Sequence, residues 1–430
     1  MSYELAREGD AWIYTWPEYG VGIGIDQITD RRDGLWCELT IQQITSGQAL
    51  HLHGPARTNL VSTTARETLA KHLKPKAEQV PWGELIEIAC ARTTKEHRQG
   101  EPVVRLSDIE VPKEGLPYLI WPMLPENETT LIFGAHKSLK STLALALGIA
   151  VATGQELPHM KKAEKQTSVL YLDWESQDIE HAERLEWLCR GFGIAKPTNM
   201  YYRPMHRPLH EEVSRIREIR AEVKAGYVIY DSLAGACGDD MKEQHVATSA
   251  ITSMRLIGGT RAVIGHKNRE EVERKTGPSH VYGSVFFDAY ARSIWEVQTG
   301  DDLEPDGDDA LRVMGVFHRA VNRGRLVAKP LMLRMAWFHE EQTLRIYRGE
   351  LDDDQGVAGH ATMDFRIRDA LKRGIKSARE IAEGWGEPER EKSIGTLLSQ
   401  MHGVIQMRPA RPGKNGEQAA WGLVGVPYGH

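Results

Sequence analysis

Residues 129–154 read TTLIFGAHKSLKSTLALALGIAVATG, and the fold is decided here. Leu131, Ile132 and Phe133 form an apolar run short enough for a buried strand, and Gly134 breaks it. A polar turn follows, Ala135-His136-Lys137-Ser138, then Leu139-Lys140-Ser141-Thr142. Beyond it Leu143, Ala144, Leu147, Ile149, Ala150 and Val151 give a wide apolar helical face. Strand, glycine turn, Lys-Ser and helix in that order is the layout of a phosphate-binding loop. A triphosphate needs many donors at close range. The backbone N–H groups from Gly134 to Thr142 and the free N–H groups of the first helical turn supply them. Lys140 would reach the β- and γ-phosphates, and Ser141 would place its hydroxyl on Mg²⁺, so ATP with Mg²⁺ is the expected ligand. Leu139 stands where glycine usually precedes the lysine, and it pays a steric penalty if that residue needs positive φ. Lys137 could then compensate as a second cation. The alternative is a lysine-bearing helix start that holds no ligand.

The chain has 430 residues, 41% of them hydrophobic and 27% charged, which suits a globular protein of several domains. A net charge of −6 does not advertise nucleic-acid binding, so such binding must rest on local patches. Cys37, Cys90, Cys189 and Cys237 are scattered without ligand spacing, as expected of a reduced cytoplasmic protein lacking structural zinc. No run has the length of a membrane span, and MSYELAREGDAW has no signal pattern, so no membrane association is expected.

Residues 1–110 read as an α+β domain. Strands are expected at Trp12–Trp16, Val21–Ile25 and Leu35–Ile41, and helices at Thr63–Leu73 and Trp82–Ala91. His51 and His53 lack a third ligand and read as surface histidines. Pro112, Pro117, Pro122 and Pro125 mark Glu110–Glu128 as a linker whose apolar residues pack on a neighbour.

Residues 111–350 form the α/β core, a mostly parallel sheet with flanking helices. Val169–Leu172 is a buried strand ending in Asp173-Trp174-Glu175. Ligands of parallel α/β sheets sit at the carboxyl ends of strands, which places Glu175 near the γ-phosphate to polarise water. The alternative is an acidic helix start. Tyr227–Tyr230 ends in Asp231, a Mg²⁺-water ligand or a turn cap. The strand from Arg261 ends in His266, which would sense the γ-phosphate or be satisfied locally. The charged loop from Asn268 to His280 offers Arg269, Arg274 and Lys275 to a nucleic-acid backbone, against the reading of a solvated charge run. Arg319 and Arg323, in a basic hairpin-like stretch, are candidates for phosphate contact.

Residues 351–430 read helix, helix, helix, hairpin, which resembles a winged helix. Lys392, Arg408, Arg411 and Lys414 fall on its third helix and wing as candidate DNA contacts.

The ordered segments GAHKSLKST, VLYLDWES, YVIYDSL, AVIGHKN and VYGSVFFDAYARS together resemble the RecA-like P-loop ATPases of the plasmid RepA hexameric replicative-helicase type, over roughly Leu124 to Val297. The resemblance implies a homo-hexameric ring with ATP at subunit interfaces. It assigns Lys140 and Ser141 to phosphate and metal, Asp231 to metal, and Glu175 to the catalytic carboxylate. His266 takes the sensor place, and Arg292 that of an arginine finger reaching the neighbour's nucleotide. Leu139 departs from the pattern, as does Tyr282 where an arginine often precedes Gly-Ser.

The expected function is an ATP-dependent DNA helicase or translocase, the replicative helicase of a mobile element, acting on single-stranded or forked DNA with replication partners. A RecA-like recombination or strand-annealing ATPase and a nucleotide-responsive DNA-binding regulator are the alternatives.

Overall fold

The computed structural model describes residues 2–8, 11–45, 48–99, 103–112, 115, 117–268, 280–283, 285–303, 309–321, 326–327, 329–408 and 418–427. The chain divides into two compact units, Met1–Lys113 with Val213–Glu222, and Glu114–Glu212 with Val223–His430.

In the first unit five strands follow one another as an antiparallel meander: β1 (Glu4–Glu8), β2 (Ala11–Trp16), β3 (Val21–Arg31), β4 (Gly34–Thr45) and β5 (Gln48–Asn59). Alternation dictates this sheet. Trp12, Tyr14 and Trp16 point to one side of β2 and are buried, and they pair with Ile25, Ile23 and Val21 of β3. That face forms one core with α1 (Thr63–Leu73) and α2 (Trp82–Gln99) through Leu69, Leu73, Leu85, Ile86 and Ala89. Each of the leucines and the isoleucine, fully buried, contributes about 1.5–3 kcal/mol. Ser62 caps α1 by accepting from Ala65 N. The second helix runs to Gln99, past the apolar positions that predict it, and Thr93 on it is also buried and bonded to Tyr14 Oη at 2.9 Å.

In the second unit β6 (Tyr118–Ile120) and β7 (Leu124–Pro125) form a short antiparallel ribbon. The proline-rich segment packs, as its apolar residues lead one to expect, and it does so on its own unit. Leu119, Ile120, Met123 and Leu124 are buried in this unit's own core, and Thr130 Oγ1 donates to Met123 O at 2.6 Å.

The main sheet is built from β8 (Thr129–Gly134), β9 (Ser168–Asp173), β10 (Met200–Pro204), β11 (Ala225–Asp231), β12 (Thr260–His266), β13 (Ser293–Leu303), β14 (Ala310–Val321), β15 (Leu331–Phe338) and β16 (Thr343–Arg348). Among the described residues its order is β10-β9-β11-β12-β8-β13-β14-β15-β16. The pairs from β10 through β13 are parallel and those from β13 to β16 antiparallel. β8 is buried along its whole length, as expected of a central strand covered on both faces.

The helix α3 (Lys140–Thr153) is apolar nearly all round. The structure buries it from Thr142 through Ala152, beyond the single wide face that the spacing predicts. Gly148 lets it approach closely, since a Cβ there would lie 2.9 Å from Met200 Cε. Then come α4 (Asp178–Phe192), α5 (Val213–Glu222), which groups with the first unit, α6 (Leu233–Cys237), α7 (Gln244–Ile257) and α8 (Val285–Tyr290). The short helix Leu233–Cys237 buries Leu233, Ala236 and Cys237.

The carboxy-terminal part holds α9 (Gln355–Ala358), α10 (Met363–Lys372), α11 (Ala378–Gly384) and α12 (Glu391–Gln400). Thr362 caps α10, and Ser377 with Glu380 forms a capping box on α11. A small sheet follows in the order β17 (Lys376–Ser377), β19 (Ala420–Leu423), β18 (Val404–Arg408). Ile367, Leu371, Ile381, Ile394 and Leu398 make its core.

Candidate functional site

Register brings the expected residues together. Asp231 at the end of β11 is level with Asp173 on β9 and Ile264 on β12. Gly134 at the end of β8 is level with His266 on β12 and Val297 on β13. Four strands thus end at one edge, where the loop of residues 135–139 crosses to α3.

Gly134 is required by close approach. A Cβ there would lie 2.4 Å from Val297 O and 2.8 Å from Ser138 Oγ. Two residues of the loop take the left-handed conformation, Lys137 at φ 60° and Leu139 at φ 61°. The position usually held by glycine does need positive φ, and here a leucine adopts it at a cost of about 1–2 kcal/mol. Its side chain recovers part of this by packing against the main core. Arg312 of β14 donates from Nη1 to Lys137 O at 3.3 Å, which holds the other left-handed residue.

Lys140 is 5% exposed and donates from Nζ to Ala135 O at 2.6 Å and Ser138 Oγ at 3.3 Å. Burial brings its amine down to about 8, while Asp231 and Glu175 pull the other way. Asp231 is buried and bonded by the Ser141 hydroxyl and by Tyr171 Oη at 2.5 Å. Burial holds its carboxyl above the usual carboxylate range, with both hydroxyl donors opposing that shift. The peptide bond Asp231-Ser232 is cis.

Glu175 is reached by two donors at one oxygen. Ser232 Oγ donates to Oε1, and His266 Nε2 meets Oε1 at 3.2 Å. These bonds, His266 first, hold the Glu175 carboxyl below its ordinary value against the effect of burial. His136 lies nearby, its ring centre 6.2 Å from that of His266.

Arg292 is placed apart from this group. Its backbone N–H donates to Thr129 O at 2.9 Å, at the start of β8, and its side chain meets Glu128 at 3.6 Å. Thr129 and Gly134 are separated by the length of β8, about 16 Å at ~3.3 Å per residue.

Arg319 is spent within the sheet. Its Nε donates to the fully buried Glu296 at 2.6 Å and its Nη2 to His360 O at 3.0 Å. Lys267 meets the same Glu296 at 3.3 Å. A buried carboxylate needs such partners, so Arg319 is a structural cation rather than a free phosphate contact. Lys392 and Arg408 are exposed on α12 and β18. Arg269, Arg274, Lys275, Arg323, Arg411 and Lys414 lie outside the described residues. Among the described residues no cluster of three or more His, Cys, Asp or Glu could hold a metal ion by itself. No described helix is long and apolar enough to cross a membrane.

Sequence reasoning missed Tyr171, Asp173, His181, Tyr202, Ser232 and Arg312. The signal for two of them was present. Tyr171 and Asp173 alternate along the strand Ser168–Asp173, so their side chains share one face of the sheet.

The donor set fits a metal-bound triphosphate: a buried ammonium, a hydroxyl paired with a buried carboxylate, and a loop whose first glycine admits no side chain. Residues 92–271 match the family model described as an AAA domain. No curated protein matches the chain significantly. Among solved structures it is similar to a KaiC-like protein from the hyperthermophilic archaeon Pyrococcus horikoshii OT3, at 15% identity and a TM-score of 0.35, over 56% of this chain and 99% of that one. The chain carries an α/β P-loop domain that binds and hydrolyses ATP.

Proposed function

We propose that this P-loop ATPase is a motor on DNA, a helicase or translocase of the replicative type, working as a homo-hexameric ring with each ATP shared between neighbouring subunits. Bound Mg–ATP supplies the scissile phosphoanhydride bond. Lys140 neutralises phosphate charge, while Ser141 and Asp231 hold the metal. Glu175 orients and polarises the attacking water, and His266, bonded to Glu175, reports the state of the γ-phosphate side.

The position of Arg292 supports the shared site. It stands a strand's length from its own phosphate loop, so it does not reach that nucleotide, and it would exchange Glu128 for the phosphates of another subunit's. Such fingers are worth about a thousandfold or more in turnover. The carboxy-terminal three helices and small sheet support a DNA partner through a winged-helix reading of residues 351–430, with Lys392 and Arg408 exposed upon it.

The test is ATP turnover with and without single-stranded and forked DNA, alongside fork unwinding. DNA-stimulated turnover with unwinding supports the motor. Mixed oligomers decide the finger: Arg292→Ala and Glu175→Gln subunits should restore each other's turnover, and an absence of complementation removes the role in trans.

A second reading has its own observation. A strained leucine at φ 61°, where the phosphate loop usually carries glycine, suits a nucleotide-responsive DNA-binding regulator with slow turnover. Tight sequence-specific duplex binding without unwinding would favour it, measured at controlled salt.

A further inference from the structure

Behind Glu175 lies a buried cluster that the mechanism above does not use. Asp173 is 2% exposed and sits two residues before Glu175, at the end of β9. Its Oδ1 accepts from Glu175 N at 2.9 Å, and its Oδ2 accepts from Ser176 N at 3.2 Å. Oδ2 is fixed from two other elements. His181 Nε2, in the first turn of α4, donates at 2.8 Å. Tyr202 of β10 shares its hydroxyl between Asp173 Oδ2 at 3.1 Å and Ser176 O at 3.2 Å. His181 is buried and its Nδ1 has no partner among the described residues, so the ring proton belongs on Nε2, where Asp173 takes it. Tyr171 lies beside His181 with ring centres 4.6 Å apart and the planes tilted by 51°.

A carboxylate that binds consecutive backbone N–H groups sets the path of the chain at that turn. The turn here is the one that carries Glu175. The side chain of Glu175, by contrast, rests on Ser232 and His266 and is partly exposed. The backbone is thus pinned from behind, and the carboxylate is left to exchange partners in front.

We infer that Asp173 is a positioning residue for Glu175: with His181 and Tyr202 it fixes the Glu175–Ser176 backbone so that only the Glu175 side chain adjusts when nucleotide and water are bound. This rests on the reading of Glu175 as the water-polarising carboxylate. Misplacing a catalytic group by about 1 Å costs on the order of a hundredfold.

The experiment measures kcat per nucleotide-binding site, with sites and affinity determined by titration with a fluorescent ATP analogue, in the full-length chain. Asp173→Ala should lower kcat by about a hundredfold while leaving analogue affinity unchanged. Asp173→Asn keeps an oxygen for the backbone N–H groups and should recover much of that loss. The double variant Asp173→Ala/Glu175→Gln should be no slower than Glu175→Gln alone. Wild-type kcat per site in Asp173→Ala, or losses that multiply in the double variant, would overturn the inference. Should Asp173→Ala fail to fold, Tyr202→Phe decides: a lowered kcat at unchanged affinity supports the bracket, and an unchanged kcat removes it. Glu175→Gln measured alone keeps the two readings apart. Normal turnover there defeats the assignment of Glu175 itself, whereas a dead Glu175→Gln beside a normal Asp173→Ala and Tyr202→Phe defeats only the bracket.

Discussion

Lys140 Nζ and the Ala135 carbonyl oxygen lie 2.6 Å apart, so the buried ammonium is held by the loop it belongs to. A phosphate must replace that contact, and it will favour the charged amine. Burial has brought the amine down to about 8. In the folded protein the charged form is therefore a cost below that pH, relieved as pH rises from about 8 toward the unfolded value of 10.5. Bound phosphate reverses the preference. The Lys140 contribution to ATP affinity should be constant below pH 8 and fall above it, and binding at pH 9 should take up a proton. Calorimetry in two buffers of different ionisation enthalpy checks this; identical heats at pH 9 would contradict it.

Leu139 at φ 61° separates backbone strain from packing. Leu139→Ala and Leu139→Gly both lose the side chain's contact with the core, but only glycine is at ease in the left-handed region. Leu139→Gly should be the more stable of the two by about 1 kcal/mol, read from chemical denaturation midpoints. A glycine variant less stable than the alanine variant would show that the loop's conformation differs.

Glu175 owes its lowered pKa first to His266 and then to Ser232. A depressed carboxylate stabilises the fold above its unfolded value of 4.5, and that contribution is lost as pH falls through the folded value. His266→Ala should raise the Glu175 pKa and move the acidic limb of the kcat/KM profile to higher pH. An acidic limb that stays in place would separate His266 from Glu175.

Tyr171 supports the metal ligand. Its hydroxyl donates to Asp231 Oδ2 at 2.5 Å within a buried site. That bond opposes the upward push of burial on the Asp231 carboxyl, so Tyr171→Phe should favour its neutral form and raise the Mg²⁺ concentration for half-maximal nucleotide-analogue binding. Binding without Mg²⁺ should be unaffected. An unchanged Mg²⁺ midpoint would show that Asp231 needs no such partner.

The strands that end at the site were legible because each is a short continuous apolar run closed by a polar residue, the pattern of a sheet covered on both faces. Leu139 was legible as a departure, and its left-handed backbone is the physical content of that departure. The packing of Tyr118–Pro125 was legible from its apolar residues, but its pairing as a ribbon was not, because prolines punctuate it. The edge strand Met200–Pro204 escaped notice because it is half-exposed and ends in proline, and with it went the Tyr202 contact to Asp173. The cluster of Lys267, Glu296 and Arg319 was illegible for another reason. Its three charges are far apart in sequence, and only the order of β12, β8, β13 and β14 brings them together.

The most direct measurement is the structure of the protein crystallised with Mg²⁺ and a non-hydrolysable ATP analogue. In that structure Lys140 Nζ should leave Ala135 O for the β- and γ-phosphates, with Ser141 and Asp231 on the metal side and Glu175 facing the γ-phosphate. Analogue density away from the loop between Gly134 and Lys140, or Lys140 still bonded to Ala135 beside a bound nucleotide, would contradict it.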